Sequence, residues 1–120
     1  MHEYSLFLSL LKTLEDLLKP YQRPKVESLT LRVGLFSGVD IPYLKEVIET
    51  FKEGTLLDGA KINFESEPLK VFCPSCQRES EVWDNRARCP YCQGLEVKIT
   101  GGLDLYIKTV ELEDEEGSED

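Results

Sequence analysis

The sequence lacks a long hydrophobic run. The leucine-rich stretch near its start is broken by Lys12, Glu15 and Asp16, so it falls far short of the roughly 18 apolar residues typical of a membrane span. A basic region followed by an apolar core, as in a secretory signal, is also missing, because Glu3 comes first. We therefore expect a cytoplasmic protein without membrane attachment. Thiols stay reduced in that compartment, so the four cysteines indicate metal or redox chemistry before structural disulfides.

The sequence also has no excess of positive charge. Its net charge is −9, and the last ten residues, ELEDEEGSED, contain seven acids and no base. The rest of the chain has 14 basic and 16 acidic residues, so it is close to neutral. Nucleic-acid binding needs a basic face that neutralises phosphates. We therefore expect no nucleic-acid partner, although a local basic patch at Arg78, Arg86 and Arg88 is left open.

Patterns typical of an enzyme are missing as well. The sequence shows no nucleophile–base pair, no phosphate-binding loop and no open metal site defined by side chains. The acidic pairs Glu15 with Asp16 and Glu46 with Glu49 are explained as solvated helix faces. We therefore predict that the protein is not an enzyme.

Hydrophobic periodicity predicts an α+β fold, in which two helices pack on a three-stranded sheet and a zinc-ribbon module is inserted. The first helix is expected over residues 5–19, before Pro20. The second is expected to begin after Asp40, which can cap it, with Pro42 in its first turn. Period-two alternation predicts strands at 26–36, at 60–65 and from Leu103 onward. The predicted helix stripes are Leu6, Leu10, Leu14 and Leu17, widened by Phe7, Leu11 and Leu18, and then Leu44, Val47, Ile48 and Phe51.

The last strand defines the predicted domain organisation. A strand with one apolar face needs a helix-covered sheet more than it needs a cysteine module, so the chain is expected to return to its first domain. Residues 1–69 plus 103–112 then form the α+β domain, and residues 70–102 form the zinc ribbon. Residues 113–120 form an acidic tail.

Two C-x-x-C pairs carry the strongest local signal. In CPSCQRESEVWDNRARCPYC, the pairs Cys73/Cys76 and Cys89/Cys92 are separated by 12 residues. Two such knuckles supply four thiolates in a tetrahedron, a donor set that favours Zn²⁺. Four protein ligands leave no open position, so the zinc is predicted to be structural. An iron–sulfur cluster uses the same ligands and stays open as an alternative.

The residues around the cysteines have expected roles of their own. The bases close to the cysteines in sequence would offset the negative charge of a zinc–thiolate cluster rather than bind phosphate. The single tryptophan, Trp83, is expected to pack against the knuckles, with contact to a partner as the alternative. The bases are Lys70, Arg78, Arg86 and Arg88.

The single histidine, His2, lies beside the amine of Met1. The amine, the neighbouring amide nitrogens and the imidazole can reach one point, and such a nitrogen set in a planar array suits Ni²⁺ or Cu²⁺. Glu3 and Asp40 could add oxygen donors. An exposed side chain without a function is the alternative for His2.

Several motifs in order resemble the hydrogenase nickel-incorporation proteins, the HypA/HybF metallochaperones. They are the MHE start, VGLFSGVD, TLLDGA, the CPSC and CPYC ribbon, and GGLDLYIKTVELE. The resemblance implies nickel held by His2 with backbone nitrogens, including the Met1 amine, and zinc on Cys73, Cys76, Cys89 and Cys92. It further implies a role of Glu3 in recognition or ligation, and Asp40 as a further ligand.

The resemblance also implies partners and a process. Nickel would be delivered during [NiFe]-hydrogenase maturation, to the hydrogenase large-subunit precursor, together with a maturation GTPase of the same system. Urease maturation proteins are further candidate partners. Where family members often read VGELSGVDP, this chain has Leu35-Phe36 and Ile41-Pro42, so one glutamate is missing. A zinc-ribbon interaction adaptor without nickel transfer is the alternative from a different class.

Overall fold

The computed structural model describes residues 2–22, 24–84 and 86–113. The described elements form a mixed α+β fold, as predicted, with two helices and two three-stranded sheets ordered β2-β1-β6 and β4-β3-β5. Met1 and most of the predicted acidic tail, residues 114–120, lie outside the described residues. The elements are α1 Glu3–Leu17, β1 Val26–Gly34, α2 Ile41–Phe51, β2 Lys61–Glu67, β3 Leu69–Cys73, β4 Arg78–Val82, β5 Lys98–Gly101 and β6 Leu105–Leu112.

The chain divides into two compact units. The first comprises Met1–Leu31, Val39–Asn63 and Ile107–Asp120, and the second comprises Arg32–Gly38 and Phe64–Tyr106. Both helices belong to the first unit, and all four cysteines belong to the second. Neither described helix is long and apolar enough to cross a membrane.

Helix α1 buries a stripe that differs from the predicted one. The buried positions follow helical spacing from Glu3 through Phe7, Leu10 and Leu14 to Leu18. Leu17, which we placed in the stripe, is 54% exposed. A leucine-rich helix offers several possible stripes, and tertiary packing selects the one that passes through Leu18 and leaves Leu17 exposed.

Helix α2 begins as its sequence predicts. Asp40 is the N-cap, and its carboxylate oxygen Oδ1 accepts a hydrogen bond of 3.1 Å from the Tyr43 backbone N–H. Pro42 lies in the first turn, where a missing N–H has no cost. The buried positions are Leu44, Val47 and Ile48. Phe51, predicted as the fourth, is 51% exposed because it is the last helical residue.

The strands keep the predicted alternation but not all of the predicted bounds. In β1, Leu29, Leu31 and Val33 are buried, as expected, and the strand ends at Gly34 and not at residue 36. Strand β6 begins at Leu105, so Leu103 lies before it and is 47% exposed. The Gly101-Gly102 turn separates β5 from β6, and Gly102 has a φ of 92° there.

The second unit is a small antiparallel sheet. Strand β3 pairs with β4 from Leu69 opposite Val82 to Cys73 opposite Arg78, and with β5 on its other edge. Its buried cluster has only three members, with three partly buried neighbours. A core this small needs a further stabilising element, and a bound metal is the usual one. The cluster is Leu69, Val71 and Val82, packed against Phe36, Ala87 and Val97.

Candidate metal centres

The four cysteine sulfurs of the second unit converge on one point. All four lie within 4.8 Å of one another. The Cys73 and Cys92 sulfurs are 3.8 Å apart, and so are those of Cys76 and Cys89. A tetrahedron with metal–sulfur bonds of about 2.3 Å has edges of about 3.8 Å. The donor set therefore fits a tetrahedral metal ion held by four thiolates, and zinc meets that requirement.

Each pair of cysteines belongs to the same kind of turn. In the first, the Gln77 N–H donates to the Cys73 carbonyl at 2.7 Å, and in the second the Gln93 N–H donates to the Cys89 carbonyl at 2.8 Å. Gln77 and Gln93 have φ values of 54° and 64°. These values lie in the left-handed region, which residues other than glycine seldom occupy. The repeated sequence C-P-x-C-Q thus folds twice into one geometry.

Backbone N–H groups of both turns point at the sulfurs. The Cys76 N–H lies 3.4 Å from the Cys73 sulfur, and the Tyr91 and Cys92 N–H groups lie 3.4 and 3.5 Å from the Cys89 sulfur. Such donors stabilise a thiolate more than a thiol. The Cys92 backbone N–H is the main cause that lowers the pKa of Cys89 to about 7.

The thiols also affect one another. Hydrogen bonding with the Cys92 thiol, followed by that with Cys89, raises the pKa of Cys76 to about 12. Without a cation among them, four thiolates in this space would repel each other, so some of the thiols keep their protons. A divalent metal would supply the missing positive charge and displace those protons.

One cation–π contact joins the two turns. The Arg78 guanidinium lies 4.5 Å from the centre of the Tyr91 ring, and these residues follow Cys76 and Cys89, respectively, by two positions. The guanidinium thus contacts a residue of the second cysteine turn, and its role in offsetting the charge of the cluster stays a prediction. The contact was not predicted, because it depends on the register that sets Cys73 opposite Arg78.

Other predicted neighbours of the cluster have different surroundings. Lys70 lies 3.8 Å from the carboxylate of Glu67, and Arg88 lies 3.2 Å from that of Asp84. These bases therefore have carboxylate partners of their own. Trp83 is 59% exposed, and its packing against the knuckles stays a prediction. Its exposure fits its position directly after β4, where the chain leaves the sheet.

The proposed nickel ligands of the first unit lie where α1 and α2 begin. His2 is the N-cap of α1 and its side chain is exposed, while its carbonyl accepts a 3.0 Å hydrogen bond from the Leu6 N–H. Glu3 is only 3% exposed, and its Oε2 accepts a 3.1 Å hydrogen bond from the Asp40 N–H. Met1, the other predicted ligand, lies outside the described residues.

The two predicted sites differ in what the structure brings together. Residues 2–22, 24–84 and 86–113 contain a set of at least three candidate ligands with converging donor atoms. The set found there consists of the four cysteines. Glu3 and Asp40 are joined through a backbone N–H, and His2 precedes Glu3 directly. The first unit thus presents neighbouring candidate donors, whereas the second presents a formed donor set.

The fold and the sulfur cluster define a class, a small α+β metal-binding protein with zinc-ribbon knuckles. The profile of the family described as "Hydrogenase/urease nickel incorporation, metallochaperone, hypA" matches residues 1–112. The chain belongs to this family. It is 37% identical over 113 residues to the hydrogenase maturation factor HypA of Aquifex aeolicus, covering 94% of this chain and 98% of that protein.

Further relatives and solved structures agree with this assignment. The hydrogenase maturation factor HypA of Nitrosospira multiformis is 36% identical over 93% of this chain and 97% of its own. The solution structure of the Ni metallochaperone HypA from Helicobacter pylori matches with a TM-score of 0.69 at 27% identity, covering 93% of this chain and 97% of that one.

Proposed function

We propose that this protein is a nickel metallochaperone that binds Ni(II) at its N-terminus and delivers it during [NiFe]-hydrogenase maturation, and to urease where that enzyme is present. The observation that carries the proposal is the match to the nickel-incorporation family over residues 1–112. That match includes the MHE start of the chain as well as the four cysteines.

The proposed nickel ligands are the amine of Met1, the imidazole of His2 and nearby backbone nitrogens. The position of His2 supports this set. The first N–H groups of a helix have no partner within the helix, and His2 is the N-cap of α1 with an exposed side chain. Exposed nitrogen donors on adjacent residues suit a planar Ni²⁺ site. Asp40 would add an oxygen donor, since its side chain is exposed, whereas Glu3 is buried.

Zinc is proposed to have a structural role in the second unit. Cys73, Cys76, Cys89 and Cys92 would hold it, and four protein ligands leave no position for a substrate. Bound zinc would stabilise knuckles whose neighbouring core is small. The two ions therefore have different roles: zinc stays with the protein and nickel is its cargo.

A site that includes the exposed side chain of His2 fits transfer rather than storage. Ligands on one short segment can be exchanged one at a time by an accepting protein, so nickel need not pass through free solution. We propose that residues 1–69 with 103–112 carry this function and that residues 70–102 form the zinc ribbon. No catalytic step by this chain is required.

The proposed partners follow from the same function. They are a maturation GTPase of the same system, the hydrogenase large-subunit precursor and urease maturation proteins. We place the protein in the cytoplasm, and we propose neither nucleic acid nor a membrane as a partner.

Blocking the N-terminal amine tests this proposal. A chain extended at its N-terminus should lose specific nickel binding, because the amine is displaced and His2 is no longer next to it. Proteolytic removal of the extension should restore binding, and zinc content should be equal in both forms. Equal nickel affinity of the extended and the trimmed protein would refute the proposed site.

A zinc-ribbon adaptor is the second candidate, and one observation favours it. The second unit exposes large apolar side chains, namely Trp83 at 59%, Tyr91 at 62% and Leu95 at 77%. Tryptophan and tyrosine are enriched at protein interfaces. An adaptor would keep its binding partner after N-terminal extension, whereas nickel-dependent maturation would stop.

A further inference from the structure

Glu3 is a buried carboxylate at the edge of the proposed nickel site. Of the residues that the structure describes, Glu3 and Glu67 are the buried charged side chains, at 3% and 9% exposure. Removing a carboxylate from water is unfavourable unless hydrogen bonds replace the lost hydration. Glu3 therefore needs a partner within the protein, and the position of that partner indicates what the residue does.

The partner of Glu3 is the backbone of Asp40. The Glu3 Oε2 accepts a hydrogen bond of 3.1 Å from the Asp40 N–H, and the Asp40 Oδ1 accepts one of 3.1 Å from the Tyr43 N–H. One chain of hydrogen bonds thus runs from the first turn of α1 to the first turn of α2. Negative charge is favourable at helix N-termini. The Glu3 carboxylate belongs to the first turn of α1 and accepts a hydrogen bond from the N-cap residue of α2, so it lies at the N-termini of both helices.

The hydrogen bond between Glu3 and Asp40 restrains the backbone next to His2. His2 directly precedes Glu3, and its carbonyl is held by the Leu6 N–H at 3.0 Å. A second contact between the helices, the Tyr4 ring against the Phe51 ring at a centroid distance of 5.1 Å, holds the same turn of α1. Terminal residues fray unless they are tied down in this way.

We propose that the Glu3 side chain positions the nickel site and is not one of its ligands. It anchors the start of α1 to the Asp40 backbone and so restrains His2, which directly precedes Glu3. This inference rests on the proposed nickel function. The Glu3 carboxylate is buried and would have to be uncovered to ligate nickel, whereas the side chains of His2 and Asp40 are already exposed.

The test compares two substitutions of Glu3 by nickel titration of the zinc-loaded protein. Glu3→Ala removes the acceptor, and we expect nickel binding to weaken about 10- to 100-fold, the usual effect of losing a residue that orients metal ligands. Glu3→Gln retains an oxygen acceptor, and we expect affinity within a few-fold of the wild type and unchanged d–d absorption bands. Glu15→Ala, an exposed change on the same helix, is the matched control and should bind as the wild type does.

Three outcomes would overturn the positioning role. If Glu3→Gln binds nickel as weakly as Glu3→Ala and its d–d bands are altered, the Glu3 carboxylate is a nickel ligand. If Glu3→Ala binds nickel with the affinity of the wild type, Glu3 has no role in the nickel site. If Glu3→Ala fails to fold, amide hydrogen exchange of the wild type tests the proposal instead. The Asp40 N–H should be protected from exchange both before and after nickel is added. Loss of its protection on nickel binding would show that Glu3 leaves Asp40 to ligate.

The failure of the proposed function has a different signature. His2→Ala should lose specific nickel binding while its Asp40 N–H stays protected. Unchanged nickel affinity of His2→Ala would reject the N-terminal nickel site itself, whatever the Glu3 variants do.

Discussion

Gly34 lies so close to the backbone of Gly102 that it could not carry a side chain, and Gly102 is excluded from carrying one by the backbone of Pro68 and Leu69. A β-carbon on Gly34 would lie 2.4 Å from the carbonyl carbon and oxygen of Gly102, and one on Gly102 would lie 2.6 Å from the Pro68 carbonyl oxygen. Two backbone hydrogen bonds of 2.8 Å hold this approach, from the Gly34 N–H to the Asp104 carbonyl and from the Phe36 N–H to the Gly102 carbonyl. The end of β1 is thus fixed against the turn that precedes β6.

Gly34→Ala should destabilise the protein by about 3 kcal/mol or more, because backbone atoms in its way cannot rotate aside as a side chain would. Denaturant unfolding of the zinc-loaded protein measures this. Gly54→Ala is the control, because no atom of residues 2–22, 24–84 or 86–113 lies within 4 Å of its added β-carbon although its φ is 82°. Its cost should stay near the roughly 1–2 kcal/mol of a left-handed conformation. Equal losses in the two variants would show that the close approach does not constrain Gly34.

Cys76→Ser should reduce the bound zinc to well below one ion per chain. Three thiolates and a hydroxyl hold zinc less tightly than four thiolates, and the small apolar cluster of the second unit cannot replace the metal. Metal analysis and the amide exchange of β3 and β4 measure the effect. Ser75→Ala, an exposed change within the same turn, should keep full zinc. Full zinc and normal protection in Cys76→Ser would contradict a four-thiolate site.

Zinc affinity should rise with pH. Binding requires thiolates, so the proton on Cys76, whose pKa is raised to about 12, must be displaced at any ordinary pH. Cys89, with a pKa lowered to about 7, carries a proton below that pH and has lost it above. The slope of the logarithm of zinc affinity against pH equals the number of protons released on binding. This slope should be larger by about one below pH 7 than above it.

Competition with a chelator of known proton affinity measures this dependence. The chelator's own titration is subtracted at each pH, and an unrelated zinc protein with histidine ligands serves as a control for the method. An affinity that is constant with pH would mean that the thiols are already ionised without metal, against the shifts found for Cys76 and Cys89.

Ser80→Ala should leave stability unchanged or raise it by up to about 1 kcal/mol. The Ser80 hydroxyl is buried and has no hydrogen-bond partner among the residues that the structure describes, and a buried polar group without a partner is unfavourable. Thermal unfolding of the zinc-loaded protein measures the change. Ser66→Ala, an exposed change on β2, should have almost no effect. A clear loss of stability in Ser80→Ala would indicate that the hydroxyl does bond, for instance to water.

The fold was predictable wherever one local pattern decided the structure. The Asp40 cap and the alternation of Leu29, Leu31 and Val33 follow from local chemistry and are confirmed. Leu17 was misplaced because a leucine-rich helix offers several possible stripes, and only tertiary packing selects one. Leu103 was misplaced because a glycine turn delays the start of β6.

The candidate sites were predictable to different degrees for similar reasons. The spacing of the cysteines is enough to predict a sulfur cluster, and the sulfurs do converge. The contact of Arg78 with Tyr91 depends on strand register, which spacing does not give. The repeated glutamine after each C-P-x-C is a sequence signal of the two identical turns. The burial of Glu3 depends on the packing of α1 on α2 and could not be read from the MHE motif.

Nickel titration of zinc-loaded His2→Ala tests the central claim most directly. We expect the wild type to bind one nickel ion per chain specifically and His2→Ala to lose this binding, with zinc content and far-ultraviolet circular dichroism unchanged, because His2 lies exposed at the helix start. If His2→Ala binds nickel with the affinity of the wild type, the N-terminus is not the nickel site and the account is wrong.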